Sequence, residues 1–102
     1  MKELEGKIAI VTGAGQGVGQ GIAFALSAAG VSVVVAGRTE EKLVQTVETI
    51  ASRGGEAIAV ACNVKNFEDL QHLVSVCVKH FGGLNILVNN AQEVPNGLLD
   101  DV

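Results

Sequence analysis

The sequence predicts an α/β domain of three layers, α/β/α, built on a parallel sheet. Three observations lead there. Short, unbroken apolar runs alternate with segments of helical period along most of the chain. The runs are aliphatic and uninterrupted by polar residues, as suits strands buried on both faces. Glycines stand where each helix should stop.

The first run is Ile8-Ala9-Ile10-Val11, bounded by Lys7 and by Thr12-Gly13. A helical pattern follows in Val18, Ile22, Leu26 and Ala29, with Gly30 as its stop. The second run is 31–36, rich in valine. Next come Leu43, Val44, Val47, Ile50 and Ala51, with Thr39 as candidate N-cap and Glu40-Glu41 placed to complement the helix dipole. Gly54-Gly55 ends that helix, and 57–61 forms the third run. The third helix is read from Leu70, Leu73, Val74, Cys77 and Phe81, capped by Asn66 and stopped at Gly82-Gly83. Ile86-Leu87-Val88 is the fourth strand. The order β-α-β-α-β-α-β with right-handed crossovers gives strand order 3-2-1-4 in one partial domain spanning 1–102. After Asn89-Asn90 the sequence turns polar and irregular, with its one proline at Pro95, so the fold is expected to be truncated after the fourth strand.

Composition narrows the function classes. Apolar residues make up 48% of the 102, but aromatics only 3%, with no Trp and no Tyr, so the core must be aliphatic. A net charge of -4 without basic runs argues against nucleic acid as a partner. No apolar stretch reaches the ~20 residues that a membrane-spanning helix needs. The N-terminus has no apolar segment of signal-peptide length, so a cytoplasmic protein is expected. Cys62 and Cys77 lack CxxC spacing and read as buried apolar residues rather than a disulfide or metal ligands.

The turn after the first strand carries the chemistry: Thr12-Gly13-Ala14-Gly15-Gln16-Gly17-Val18-Gly19. Glycines permit a sharp turn and let backbone N–H groups approach an anion. The following helix aims its positive end at the same place, which suits a pyrophosphate. A tight turn that only joins strand to helix is the bland alternative. The GxGxG at Gly13, Gly15 and Gly17 also resembles the first motif of SAM-dependent methyltransferases, although Val11 stands where those usually carry an acid.

The other strand ends reach the same edge. An acidic residue at the end of the second strand would accept from a ribose 2′-hydroxyl and repel a 2′-phosphate. Here the strand ends Ala36-Gly37-Arg38-Thr39. Arg38 offers a fork of donors suited to phosphate, Thr39 a hydroxyl, and Gly37 room for the extra group, so NADP(H) is preferred over NAD(H). A solvated arginine is the alternative. Beside Val64, Asn63 is placed to bond an adenine amino group, and Ala91 is small enough to admit a nicotinamide ribose. Asn89 reads as satisfying loop backbone, whereas Asn90 reads equally as a cofactor contact.

Taken together, these motifs resemble the short-chain dehydrogenase/reductase family. Thr12-Gly13-x-x-x-Gly17-x-Gly19 is similar to its cofactor motif, and Asn89-Asn90-Ala91 to the start of its Asn-Asn-Ala-Gly motif, with Gly37-Arg38 and Asn63-Val64 between them. The sequence departs from that pattern at Asn63, at Asn85 and at Gln92, which replaces the last glycine. The resemblance implies a Rossmann-type fold and a nicotinamide dinucleotide held by Gly13, Gly15, Gln16, Gly17, Val18, Gly19, Arg38, Thr39, Asn63, Val64, Asn90, Ala91 and Gln92. It implies carbonyl/alcohol chemistry through a Ser, a Tyr-x-x-x-Lys pair and an Asn located beyond the fourth strand. With no tyrosine in the sequence, this chain alone is expected to be inactive. A non-catalytic nucleotide-binding or self-associating module is the other open reading. The edge at Ile86-Leu87-Val88 is expected to support a homo-oligomer.

Overall fold

The computed structural model describes residues 4–90. Seven elements alternate: β1 (Ile8–Thr12), α1 (Gly17–Ala28), β2 (Ser32–Gly37), α2 (Glu40–Ser52), β3 (Ala57–Ala61), α3 (Phe67–Phe81) and β4 (Ile86–Val88). The strands form one parallel sheet in the order β3-β2-β1-β4, as the sequence predicts. Ile10 is the register centre, opposite Val34 on one side and Leu87 on the other.

Alternation along the strands divides the core into two. Ala9, Val11, Val33 and Val35 face Ala23 of α1 and Leu43 and Ile50 of α2. Ile10, Val34, Ala36 and Val60 face Leu73 and Cys77 of α3. The expected three layers follow, because both faces of the central strands are apolar and each needs a helix over it. Both cysteines are free and buried, as expected.

The caps explain where the helices begin and end. Asn66 accepts from the Asp69 N–H at 3.1 Å to start α3, and Gly82 ends it with φ 93°. Asn85 fastens the entry to β4: its side-chain oxygen accepts from Ile8 N–H, and its own N–H donates to the Ile8 carbonyl, each at 2.9 Å. Thr39 is the N-cap of α2, but its side chain makes no capping hydrogen bond.

The helix faces differ from the expectation. The buried residues of α1 are Gly19, Ala23 and Ser27, whereas Val18 is 66% exposed. The face is thus turned by one residue, about 100°. Small side chains face the sheet and let α1 approach it closely, while Ile22, Phe24 and Leu26 flank the contact, partly buried. In α2 the buried set is Leu43, Thr46 and Ile50, so Val44 lies outward; in α3, Val74 does. Among the described residues, no helix is long and apolar enough to cross a membrane.

This packing makes a stability prediction. Ala23→Leu should cost about 1–3 kcal/mol through overpacking, and Val18→Ala should change stability by no more than ~0.5 kcal/mol. Urea denaturation checks both; the reverse ranking would restore the face centred on Val18.

Candidate functional site

The C-terminal ends of all four strands lie at one edge, and the loop 13–16 between β1 and α1 sits over it. Gly13 has φ 62°, a left-handed conformation that disfavours side chains. It is also crowded: a Cβ there would run into the Asn90 carbonyl oxygen. A Cβ on Gly19 would strike the Gly13 carbonyl oxygen and come 2.8 Å from Asn90 Nδ2. The loop, the start of α1 and the residues after β4 therefore meet backbone to backbone.

Thr12, 1% exposed, latches that meeting. Its hydroxyl donates to Asn89 Oδ1 at 3.0 Å and accepts from the Asn90 N–H at 2.7 Å. Asn89 thus bonds a strand side chain, where a loop backbone group was expected. Asn90 Nδ2 is buried and has no hydrogen-bond partner among the described residues. A lone buried amide donor costs stability until something accepts from it.

The loop is also fastened to its other neighbours. Ala14 N–H donates to the Ala36 carbonyl at the end of β2, at 3.2 Å. The Thr46 hydroxyl, buried on α2, lies 3.1 Å from the Ala14 carbonyl and accepts from Gln20 Nε2 at 3.1 Å. Lys42, one turn earlier on α2, donates through Nζ to Gln16 Oε1. Gln16 is the N-cap of α1, yet no side chain caps this helix and its first turn holds no acid. The positive end of α1 is left without a compensating carboxylate, as an anion site requires.

A cleft of about 190 Å³ opens beside the loop, lined by Gln16, Arg38, Thr39, Lys42, Cys62 and Val64 among others. No carboxylate lines it among the described residues. Burial, with a smaller contribution from Asp69, pushes the Cys62 thiol above its usual pKa. Burial does the same to Cys77, whose Sγ donates to the Gly83 carbonyl at 3.3 Å. Both thiols are therefore protonated at neutral pH, and neither is an activated nucleophile. A larger cavity, about 500 Å³, lies at the opposite end of the strands beside Phe24, Arg53 and Glu56, away from every motif residue.

Of the expected site residues, Gly13, Gly15, Gln16, Arg38, Thr39 and Val64 line this one cleft, with Gly17, Val18 and Gly19 beginning the adjoining helix. Gly37 lines the cleft too, and a Cβ there would lie 3.3 Å from Leu43 Cδ2, so the missing side chain also makes space for Leu43. Asn63 is turned to local work: its Oδ1 accepts from Lys65 N–H at 3.0 Å, and its N–H donates to Asp69 at 2.8 Å. Ala91 and Gln92 lie outside the described residues. Lys42 and Thr46 were not legible as site residues, because an exposed lysine and a mid-helix threonine carry no signal without the loop beside them.

A glycine-built turn between a parallel strand and a helix, placed at the switch between β1 and β4, defines a nucleotide-binding α/β protein. The chain belongs to the short-chain dehydrogenase family, whose model matches residues 7–99. It is similar to tropinone reductase-like 3 of Erythroxylum coca, with 35% identity over 95 residues, 93% of this chain and 37% of that protein. A hydroxysteroid dehydrogenase structure from Escherichia coli matches with a TM-score of 0.84 and 35% identity, over 96% of this chain and 42% of the other. A short-chain dehydrogenase/reductase from Burkholderia phymatum in complex with NAD matches with a TM-score of 0.81 and 36% identity, over 85% of this chain and 31% of that one. The chain thus spans little more than a third of the curated relatives it matches. The family match leaves the methyltransferase-like alternative without support.

The crowding at Gly19 is testable. Gly19→Ala should lose about 1–3 kcal/mol. Gly21→Ala, two residues on in the same helix with open space around it, should be neutral or gain up to ~1 kcal/mol from helix propensity. Thermal or urea unfolding of the two variants separates local clash from a general effect on α1.

Proposed function

We propose that this chain is the nucleotide-binding portion of an NADP(H)-dependent oxidoreductase that interconverts carbonyl and alcohol groups. One observation carries the choice of NADP(H): Arg38 stands just after β2, in a cleft lined by no carboxylate among the described residues. A carboxylate there would repel a 2′-phosphate, whereas a guanidinium binds one through paired, charge-assisted donors.

The residues present fit a dinucleotide. Gly13 and Gly15 line the cleft, the positive end of α1 opens beside it, and Asn90 Nδ2 is a buried donor with no partner among the described residues. In this reading the loop 13–19 holds the pyrophosphate, Arg38 and Thr39 the 2′-phosphate, and Val64 packs near the adenine, with Asn63 beside it. Asn90 is assigned to the nicotinamide end, as the family resemblance also assigns Ala91 and Gln92. The bound cofactor supplies hydride transfer; these residues bind and orient it. The 102 residues contain no tyrosine, so this chain supplies the cofactor site and not the family's proton-donating phenol. We read it as cytoplasmic, where its two free thiols would stay reduced.

The test is a titration with NADPH and, separately, NADH, followed by fluorescence and by thermal shift. NADPH should bind more tightly, and Arg38→Asp should abolish the difference, costing about tenfold or more in NADPH affinity for the lost charge-assisted pair. Equal affinity for both cofactors in the unaltered chain would overturn the NADP(H) assignment. We also propose self-association through β4, where Leu87 is 61% exposed on a strand paired on one side only among the described residues. Light scattering at micromolar concentration should show a dimer, and a monodisperse monomer would refute it.

A further inference from the structure

Resting on the dinucleotide site above, we infer that Lys42 is a second specificity residue of that site: its ammonium group joins Arg38 in holding the 2′-phosphate. Three observations converge on it. Lys42 lines the same cleft as Arg38 and Thr39. The base of its side chain lies against the glycine loop, where a Cβ on Gly15 would come 3.0 Å from Lys42 Cβ. Although the residue is exposed, its Nζ reaches across 26 positions of sequence to Gln16 Oε1, which ties it toward the cleft.

The electrostatics of α2 point the same way. Lys42 is the third residue of this helix, at its positive end, where a cation is unfavourable. Arg38 lies just before the N-cap Thr39, so two cations and the helix dipole crowd one place. Glu40 and Glu41, in the same turn, are exposed and are not among the described residues that line the cleft. A doubly ionised phosphate relieves that concentration of charge, and a bare ribose hydroxyl does not. Gln16 then has a defined part. Its amide oxygen is an uncharged acceptor, so it positions Lys42 without neutralising it, as a glutamate at position 16 would.

The distinguishing experiment compares 2′,5′-ADP with 5′-AMP, which differs from it only by the 2′-phosphate, by calorimetry on the full 102-residue chain, at low and moderate salt. In the unaltered chain 2′,5′-ADP should bind more tightly, with an advantage that shrinks as salt rises. Lys42→Gln should reduce 2′,5′-ADP affinity about tenfold, the size of one lost charge-assisted contact, and 5′-AMP affinity by less than about twofold. Lys42→Arg, which keeps the charge, should retain most of the preference. Lys42 is exposed, so the unliganded melting temperature should stay unchanged in both variants. Equal weakening of both nucleotides would assign Lys42 to the shared 5′-phosphate and overturn the inference, as would no weakening of either. In both cases the NADP(H) reading would survive, because the unaltered chain would still discriminate. Failure of the unaltered chain to prefer 2′,5′-ADP would overturn that reading and this inference with it.

Discussion

The structure hangs on one close approach, where Gly13, Gly19 and Asn90 pack with no space for a Cβ between them. Three segments far apart in sequence converge there: the end of β1, the first turn of α1 and the residues after β4. Each must bring bare backbone to the meeting point, and Gly13 must also hold a left-handed φ. Thr12 makes the convergence specific, since its single hydroxyl serves both Asn89 and the Asn90 N–H. A serine would preserve those bonds in principle, but a valine of the same shape would leave a buried N–H unpaired, which costs about 1–3 kcal/mol. The β1–β4 pairing extends over only three residue pairs, so the latch supplies order that the short ladder does not.

From this point the requirements spread outward. Gly19 can touch Gly13 only if α1 lies close to the sheet, and α1 lies close because Ala23 and Ser27 continue its small-residue face. The loop then comes within reach of α2, where Thr46 ties Ala14 and Gln20 together. Thr46 is fully buried and would be a liability on an apolar face if its hydroxyl were not satisfied there. The apolar core and the polar fastening of the loop are thus one arrangement: the residues that pack α1 and α2 on β1 and β2 also set the loop's position.

Much of this was legible in the sequence. The strands, their order and the cap at Asn66 followed from apolar runs, connection handedness and a short acceptor side chain before a helix. Charge at Arg38 and glycine spacing marked the edge where the cleft opens. What escaped was whatever depended on size rather than polarity. Val18 looked like a core residue because it is apolar and in phase, but a helix that packs backbone to backbone buries its smallest residues and turns the larger ones aside. Gly37, which lines the cleft, also seats Leu43, a contact between residues six apart that no local pattern announces. Asn63 shows a different limit, because its type permits an adenine contact while its backbone neighbours claim its oxygen first.

Lys42 was invisible for a related reason. On a helix surface, a lysine after two glutamates reads as a solvated charge, and only the loop packed against α2 gives it a partner. That packing has a consequence for selectivity. Arg38 is on the segment leading into α2, Lys42 is on α2 itself, and α2 is bonded to the glycine loop through Thr46 and through Gln16. The helix start that carries these cations and the loop that would hold the pyrophosphate are therefore parts of one packed unit. Lys42 is held by Gln16 before a ligand arrives, which lowers the entropic cost of ordering it. The same rigidity ties selectivity to stability: a change that loosens α2 from the loop would blur the distinction between the two cofactors even with both cations intact.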